Sequence, residues 1–235
     1  SPSIDSALKK LKDAQVSSIK VLPLFPQYAS ASTGSVLEKV MHLVSKWQTI
    51  PNLSFVNSFH DNELMIETFV ENALKHQPET YDHILFSFHG LPESQLKSGD
   101  HSKRHCLKTK NCCSTLTTSN QFCYATQCHD TARFITNKMG LYEDKYTVCF
   151  QSRLGTDPWV KPYTSEVIKD LANKGAKRLL VLCPAFVADC LETVYGVSVE
   201  YGDEFKALGG EHVQLVESLN DHTKWIAALE ELVKS

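Results

Sequence analysis

Apolar positions recur along this chain in two alternating rhythms, spacings of three and four residues and short unbroken runs, and the alternation predicts helices set between buried strands. Ile4, Leu8 and Leu11 keep helical spacing behind Ser3, whose hydroxyl suits a helix cap. A strand over 19–25 and a helix with the stripe Val36, Val40, Leu43 and Trp47 follow, then a strand over 53–59 and a helix over 62–75 burying Met65, Phe69 and Ala73. Residues 77–81 carry a proline among polar neighbours and read as a linker. Beyond it the pattern predicts strands over 84–88, 146–151 and 178–183. Helices are expected from about Asp130 to Gly140, around Val167, Ile168 and Leu171, and over 219–233 with Trp225, Leu229 and Leu232 inward. Strands alternating with helices argue for an α/β fold of doubly wound, Rossmann-like parallel sheets in two lobes. The expected division is 1–78 and 79–218, with the C-terminal helix over 219–235 packing back on the first lobe.

The run ILFSFHGLP at 84–92 is the stretch around which the second lobe is built, because its apolar residues end in His89, Gly90 and Pro92. Ligands of open parallel sheets bind at the carboxyl ends of the strands, so His89 is delivered to that edge. Read alone, the stretch fits a catalytic histidine and a hydrogen-bonded loop histidine equally. Two further strand ends carry polar groups: Gln151 to Arg153, and Asp189 with Glu192. A histidine facing a glutamate across a cleft abstracts protons or holds a metal, and Tyr28, Trp159 and Phe186 flank the same loops, which suits a large planar apolar ligand. Phe186 as core, Trp159 as a packing anchor and Glu192 as a partner of the helix dipole are the plainer readings. The loop PLFPQYASASTG at 23–34 offers hydroxyls before a helix, fitting either an anionic group or a simple βα turn.

Charge removes several function classes. Lys+Arg number 24 against Asp+Glu 27, a formal net charge of -3, so no global field favours nucleic acid. No apolar run approaches the roughly 20 residues of a membrane-spanning helix. The eight cysteines fall in two groups. Cys149, Cys183 and Cys190 lie in or beside apolar runs and read as packing, whereas Cys106, Cys112, Cys113, Cys123 and Cys128 crowd into one polar stretch. That stretch, 93–127, has too little periodicity for a core of its own, so something other than hydrophobic burial must order it. Four thiolates, Cys106, Cys112, Cys113 and Cys123, are enough for a [2Fe–2S] cluster or a structural zinc, with Cys128 in reserve; disulfides and free thiols are the rivals. His101, His105 and His129 nearby are expected to face solvent.

SFHGLP at 87–92, FQSRLGTDPWVKPYT at 150–164 and PAFVADCLET at 184–193, with PLFPQYASASTGS at 23–35, resemble the signature segments of the ferrochelatases in the same order. The resemblance spans nearly the whole chain except the cysteine stretch. It implies insertion of ferrous iron, the substrate metal, into protoporphyrin IX or coproporphyrin III to make heme. By it His89 and Glu192 are the catalytic and iron-handling pair, and Tyr28, Ser152, Arg153, Trp159 and Phe186 touch the porphyrin. It also tilts the cysteine site toward [2Fe–2S], since some bacterial members carry that cluster. The resemblance further implies a cytoplasmic setting with peripheral contact at the inner membrane, and no nucleic-acid partner. Family members begin with a further segment absent ahead of Ser1, so the first lobe is expected to be incomplete. Where the family often has another acid, one turn past Glu192, this chain has Gly196, with Glu200 a turn further on. A cobalt-loading tetrapyrrole chelatase and a non-catalytic heme- or cluster-binding fragment are the alternatives.

Overall fold

The computed structural model describes residues 2–109 and 111–235. Helix α1 (Ile4–Asp13) starts at Ser3 in a capping box with Ser6, and strand β1 (Ser18–Val21) follows. A π-turn over Ser30–Gly34 leads into α2 (Ser35–Val44), and β2 (Asn52–Phe55) pairs in parallel with β1. Both strands stop short of the predicted 19–25 and 53–59. Pro23 and Pro26 carry no N–H for a ladder, which ends β1 early. Leu8, Ile19, Val40 and Val44 form the small core of this layer.

The main layer is a parallel four-stranded sheet in the order β4-β3-β5-β6, made of β3 (His83–His89), β4 (Tyr146–Gln151), β5 (Arg178–Leu182) and β6 (His212–Leu215). Parallel sheets are buried on both faces, and successive residues of β3 point alternately to each. Phe86 and Phe88 pack with Met65, Phe69, Ile135 and Trp225 on one side. Leu85 packs with Cys149, Ile168, Val197 and Phe205 on the other. The first face is covered by α3 (Glu63–Leu74), α5 (Tyr124–Met139) and α9 (Thr223–Lys234). The second is covered by α6 (Thr164–Asn173) and α8 (Gly202–Ala207). Helix α9 rests on α3, and Lys224 joins them by ion pairs to Glu67 at 2.7 Å and Glu71 at 2.6 Å. Thus α3, within the first 78 residues, shares a core with the larger sheet.

Three features depart from the sequence pattern. Strand β6 is absent from it, because HVQL is short and half polar and becomes a strand only by pairing with the free edge of β5, Arg178 opposite His212. Helix α5 starts at Tyr124, not near Asp130, since Tyr124, Ala125 and Cys128 are already in the core while buried Thr126 and Gln127 obscure the helical spacing. The polar stretch after Pro92 opens with a short helix, α4 (Glu93–Gly99), before it becomes a run of turns.

Candidate functional site

Strands β4, β3 and β5 lie side by side, so their carboxyl ends open onto one edge. His89 closes β3 in register with Gln151, the last residue of β4. Gly90 then turns so closely past the neighbouring chain that an added Cβ would lie 3.0 Å from the Gln151 carbonyl oxygen and 3.1 Å from Trp159. Only glycine fits there without a shift, which accounts for its place after the histidine. The Gly90 carbonyl lies 2.7 Å from His89 Nδ1 and can only accept, so Nδ1 carries a hydrogen, and in the neutral imidazole the lone pair is on Nε2. Tyr124 fixes the same residue from α5, its hydroxyl donating to the His89 carbonyl at 2.7 Å.

The imidazole lies near two aromatic rings, with centroids 6.3 Å from Trp159 and 6.4 Å from Phe186. Trp159 is held there because the loop after β4 folds back onto the His89 loop, Val160 N–H donating to Leu91 at 2.9 Å and Glu93 N–H to Pro158 at 2.9 Å. Glu192 stands in the first turn of α7 (Leu191–Tyr195), which begins at Cys190. The Cys190 thiol holds its carboxyl below the usual carboxylate range. Its own backbone N–H and attraction to His89 add to that effect. The site therefore sets the His89 imidazole within electrostatic reach of a carboxylate that is ionised near neutral pH.

Gln151, which the sequence offered only as a polar strand end, joins these parts. Its Oε1 accepts from the Ser87 hydroxyl at 2.7 Å, and its Nε2 donates to the Glu192 carbonyl at 3.4 Å. One buried amide thus spans β3, β4 and the Glu192 turn. Gln151→Ala should lower kcat for iron insertion roughly 10-fold to 100-fold by loosening the spacing of His89 and Glu192. KM for porphyrin should change little; steady-state kinetics below the unfolding temperature that show an unchanged kcat would reject this role.

The other expected residues divide. Tyr28 is half-buried, its N–H donating to Gln127 at 2.7 Å and its ring meeting Phe122 edge-on at 6.5 Å. Ser152 is half-buried with a left-handed φ of 65°. Arg153 is exposed and lies over the Tyr163 ring at 4.9 Å. Asp189 serves the backbone, accepting from Ser218 N–H at 3.0 Å and from the Asn220 amide at 2.8 Å. A cavity of about 740 Å³, within the ordinary range of ligand pockets, is lined by Tyr28, Leu91, Leu96, Phe122 and Tyr124 among others. His89 and Glu192 are not in its lining. Its link to the strand end is Tyr124, which lines it and whose hydroxyl donates to the His89 carbonyl at 2.7 Å.

The cysteine stretch is ordered by two polar residues that its composition did not single out. The Asp100 carboxylate accepts from the N–H groups of Ser102, His105 and Cys106 at 3.0, 2.9 and 2.9 Å. These bonds, with the Ser102 hydroxyl foremost, hold its carboxyl well below the usual range. The Asn120 amide donates to the carbonyls of Cys112 and Thr115, each at 3.0 Å. The turns so formed place Cys106, Cys112 and Cys123 around one small cavity, with the sulfurs of Cys112 and Cys113 3.7 Å apart. The Cys113 thiol donates to Cys123, favouring the Cys123 thiolate, while burial pushes Cys106 up to about 12. All eight cysteines are free thiols. Among the described residues no three His, Cys, Asp or Glu side chains are grouped closely enough to hold a metal ion as they stand. Cys128 lies apart in the core, against Tyr124. Two histidines depart from the solvent-facing expectation. His105 is half-buried with Nε2 3.0 Å from the Cys112 carbonyl, and half-buried His129 meets Phe150 edge-on at 6.4 Å.

The structure is similar to that of SirB from Bacillus subtilis with Fe3+, at a TM-score of 0.60 and 12% identity, covering 99% of this chain and 77% of that one; at that identity the likeness concerns the fold. The sequence is 39% identical over 233 residues to a ferrochelatase of Legionella pneumophila (strain Lens), covering 99% of this chain and 68% of the relative. It is 41% identical over 233 residues to a ferrochelatase of Coxiella burnetii (strain Dugway 5J108-111), covering 99% of this chain and 65% of the relative. The chain thus spans about two thirds of the length of these relatives. With the ferrochelatase family model matching residues 1–235 in full, the chain belongs to the ferrochelatase family, enzymes that insert iron into a porphyrin to make heme.

Proposed function

We propose that His89 and Glu192 carry out iron insertion in this chain, with the macrocycle held against Trp159, Phe186 and Tyr28. The observation that carries this reading is the His89 imidazole, its Nδ1 committed to Gly90, close to the rings of Trp159 and Phe186 and in the electrostatic reach of an ionised Glu192. Insertion exchanges two pyrrole protons for Fe²⁺ with no change of oxidation state. His89 Nε2 accepts a proton, and the Glu192 carboxylate escorts the cation or accepts the second proton before both pass to water. The aromatic walls favour the flat apolar face of the ring, and pressure from them on a bent ring would expose the nitrogen lone pairs. Ser152 and Arg153 belong to the porphyrin's polar margin in this reading.

The same proposal places a [2Fe–2S] cluster on Cys106, Cys112, Cys113 and Cys123. The donor set fits: it is all sulfur, and a 3.7 Å separation of two sulfurs is close to the roughly 3.8 Å expected for two thiolates on one tetrahedral metal at 2.3 Å. Bound there, the group would tie together a stretch that lacks a core of its own. A cytoplasmic setting, with any peripheral contact at a membrane, also belongs to this proposal; no helix among the described residues is long and apolar enough to cross one.

The test is a side-by-side insertion assay with Fe²⁺ and Co²⁺ against protoporphyrin IX and coproporphyrin III. Preference for Fe²⁺ is expected. Preference for Co²⁺ would favour the cobalt-chelatase reading, and porphyrin binding without turnover would favour a non-catalytic module. Iron and acid-labile sulfide in equal amounts with visible absorbance are expected of the cluster; a colourless protein containing zinc would overturn it.

A further inference from the structure

We infer that the sulfur site and the adjoining cavity are thermodynamically linked through a shared wall, so that metal held by the cysteines raises the affinity for porphyrin. This rests on reading the four cysteines as a metal site and the cavity as part of the porphyrin pocket. Leu96, Gly99 and Cys123 line both the large cavity and the small one bounded by the sulfurs. Cys123 is therefore at once a sulfur ligand and a piece of the substrate wall. The residues on either side of it extend the connection. Phe122 lines the cavity and meets Tyr28 edge-on at 6.5 Å, joining the cysteine stretch to the first layer of the fold. Tyr124 lines the cavity too, and its hydroxyl donates to the His89 carbonyl at 2.7 Å. Three successive residues thus touch the sulfur site, the cavity wall and the histidine that the mechanism requires.

The physical reason for coupling is conformational entropy. Apart from Cys106 and Leu96, few residues between 93 and 122 are buried, and the turns are fixed mainly by Asp100 and Asn120. A metal bridging Cys106, Cys112, Cys113 and Cys123 ties the two ends of that stretch together, so porphyrin then meets a wall already in place. Without it, porphyrin binding must order the wall itself. Coupling between sites is reciprocal, so porphyrin should in turn retard loss of the metal.

The experiment compares metal-loaded protein, the same protein stripped with a chelator under reducing conditions, and Cys112→Ser, whose altered residue lines the sulfur site but not the large cavity. Iron, sulfide and zinc content are measured with protoporphyrin IX affinity by fluorescence, and circular dichroism confirms the fold. Stripped protein and the variant should bind porphyrin roughly 5-fold to 150-fold more weakly, and saturating porphyrin should slow chelation of the metal. Phe122→Ser should weaken porphyrin binding with metal content unchanged. If Cys112→Ser fails to fold, the stripped and reloaded wild-type protein makes the same comparison. Equal porphyrin affinity in loaded and stripped folded protein would overturn the linkage while leaving the metal site standing. A protein holding neither iron nor zinc after anaerobic preparation would overturn the metal site and the linkage together.

Discussion

His89→Ala should lower the rate of iron insertion by roughly 10²–10⁴-fold, the range for loss of a positioned general base. The reason is local. Its Nδ1 is committed to the Gly90 carbonyl at 2.7 Å, so Nε2 is the nitrogen free to take a pyrrole proton, and alanine offers no replacement. The backbone that places it does not depend on the imidazole, since β3 is paired on both sides and Tyr124 holds the His89 carbonyl. Porphyrin affinity should therefore change much less than turnover, because Trp159, Phe186 and Tyr28 remain. Turnover of the variant is read by loss of free porphyrin fluorescence in the presence of Fe²⁺, beside a binding titration without metal. A rate close to that of the unaltered protein would remove His89 from the mechanism and move attention to Glu192.

Phe86→Ala should cost about 3–5 kcal/mol of stability, the usual range for truncating a fully buried phenylalanine. Phe86 is wholly buried at the centre of β3 and meets Tyr146 edge-on at 5.7 Å. Its side faces the core shared by α3, α5 and α9, so the void would open where three helices meet the sheet. For a chain of this size each kcal/mol shifts the thermal midpoint by roughly 2–4 °C, giving a fall of roughly 6–20 °C by scanning calorimetry. A fall of a degree or less would mean that the helices close onto the sheet without loss. Activity per folded molecule should drop far less than in His89→Ala, because the strand end three residues away is fixed by backbone pairing. The two variants thus separate what the strand holds together from what it presents.

Much of the scaffold was legible in the residues. The apolar run before His89 became β3, the Ser3 cap became the start of α1, the stripe of Met65, Phe69 and Ala73 became the buried side of α3, and that of Trp225, Leu229 and Leu232 the buried side of α9. These signals are local: a cap, a run or a spacing acts within a few residues of itself. The readings that failed depended on distant partners. HVQL becomes β6 only because β5 has an edge to offer, and the start of α5 was hidden by Thr126, Gln127 and Thr131, polar residues buried by contacts far along the chain. Gln27 donates to Thr131 at 3.0 Å, and Gln127 accepts from Tyr28; nothing in the sequence distinguishes these glutamines from surface ones.

The sequence by itself determined the alternation of elements, the residue types of the site and the order of the segments that carry them, because periodicity and side-chain chemistry are properties of short stretches. Tertiary structure alone decided which of those residues meet. Parallel pairing put His89 opposite Gln151, Gln151 reached the Glu192 turn, and packing of α5 brought Cys123 and Tyr124 between the sulfur site and the histidine. Such meetings are set by contacts between residues tens of positions apart, which no local pattern records.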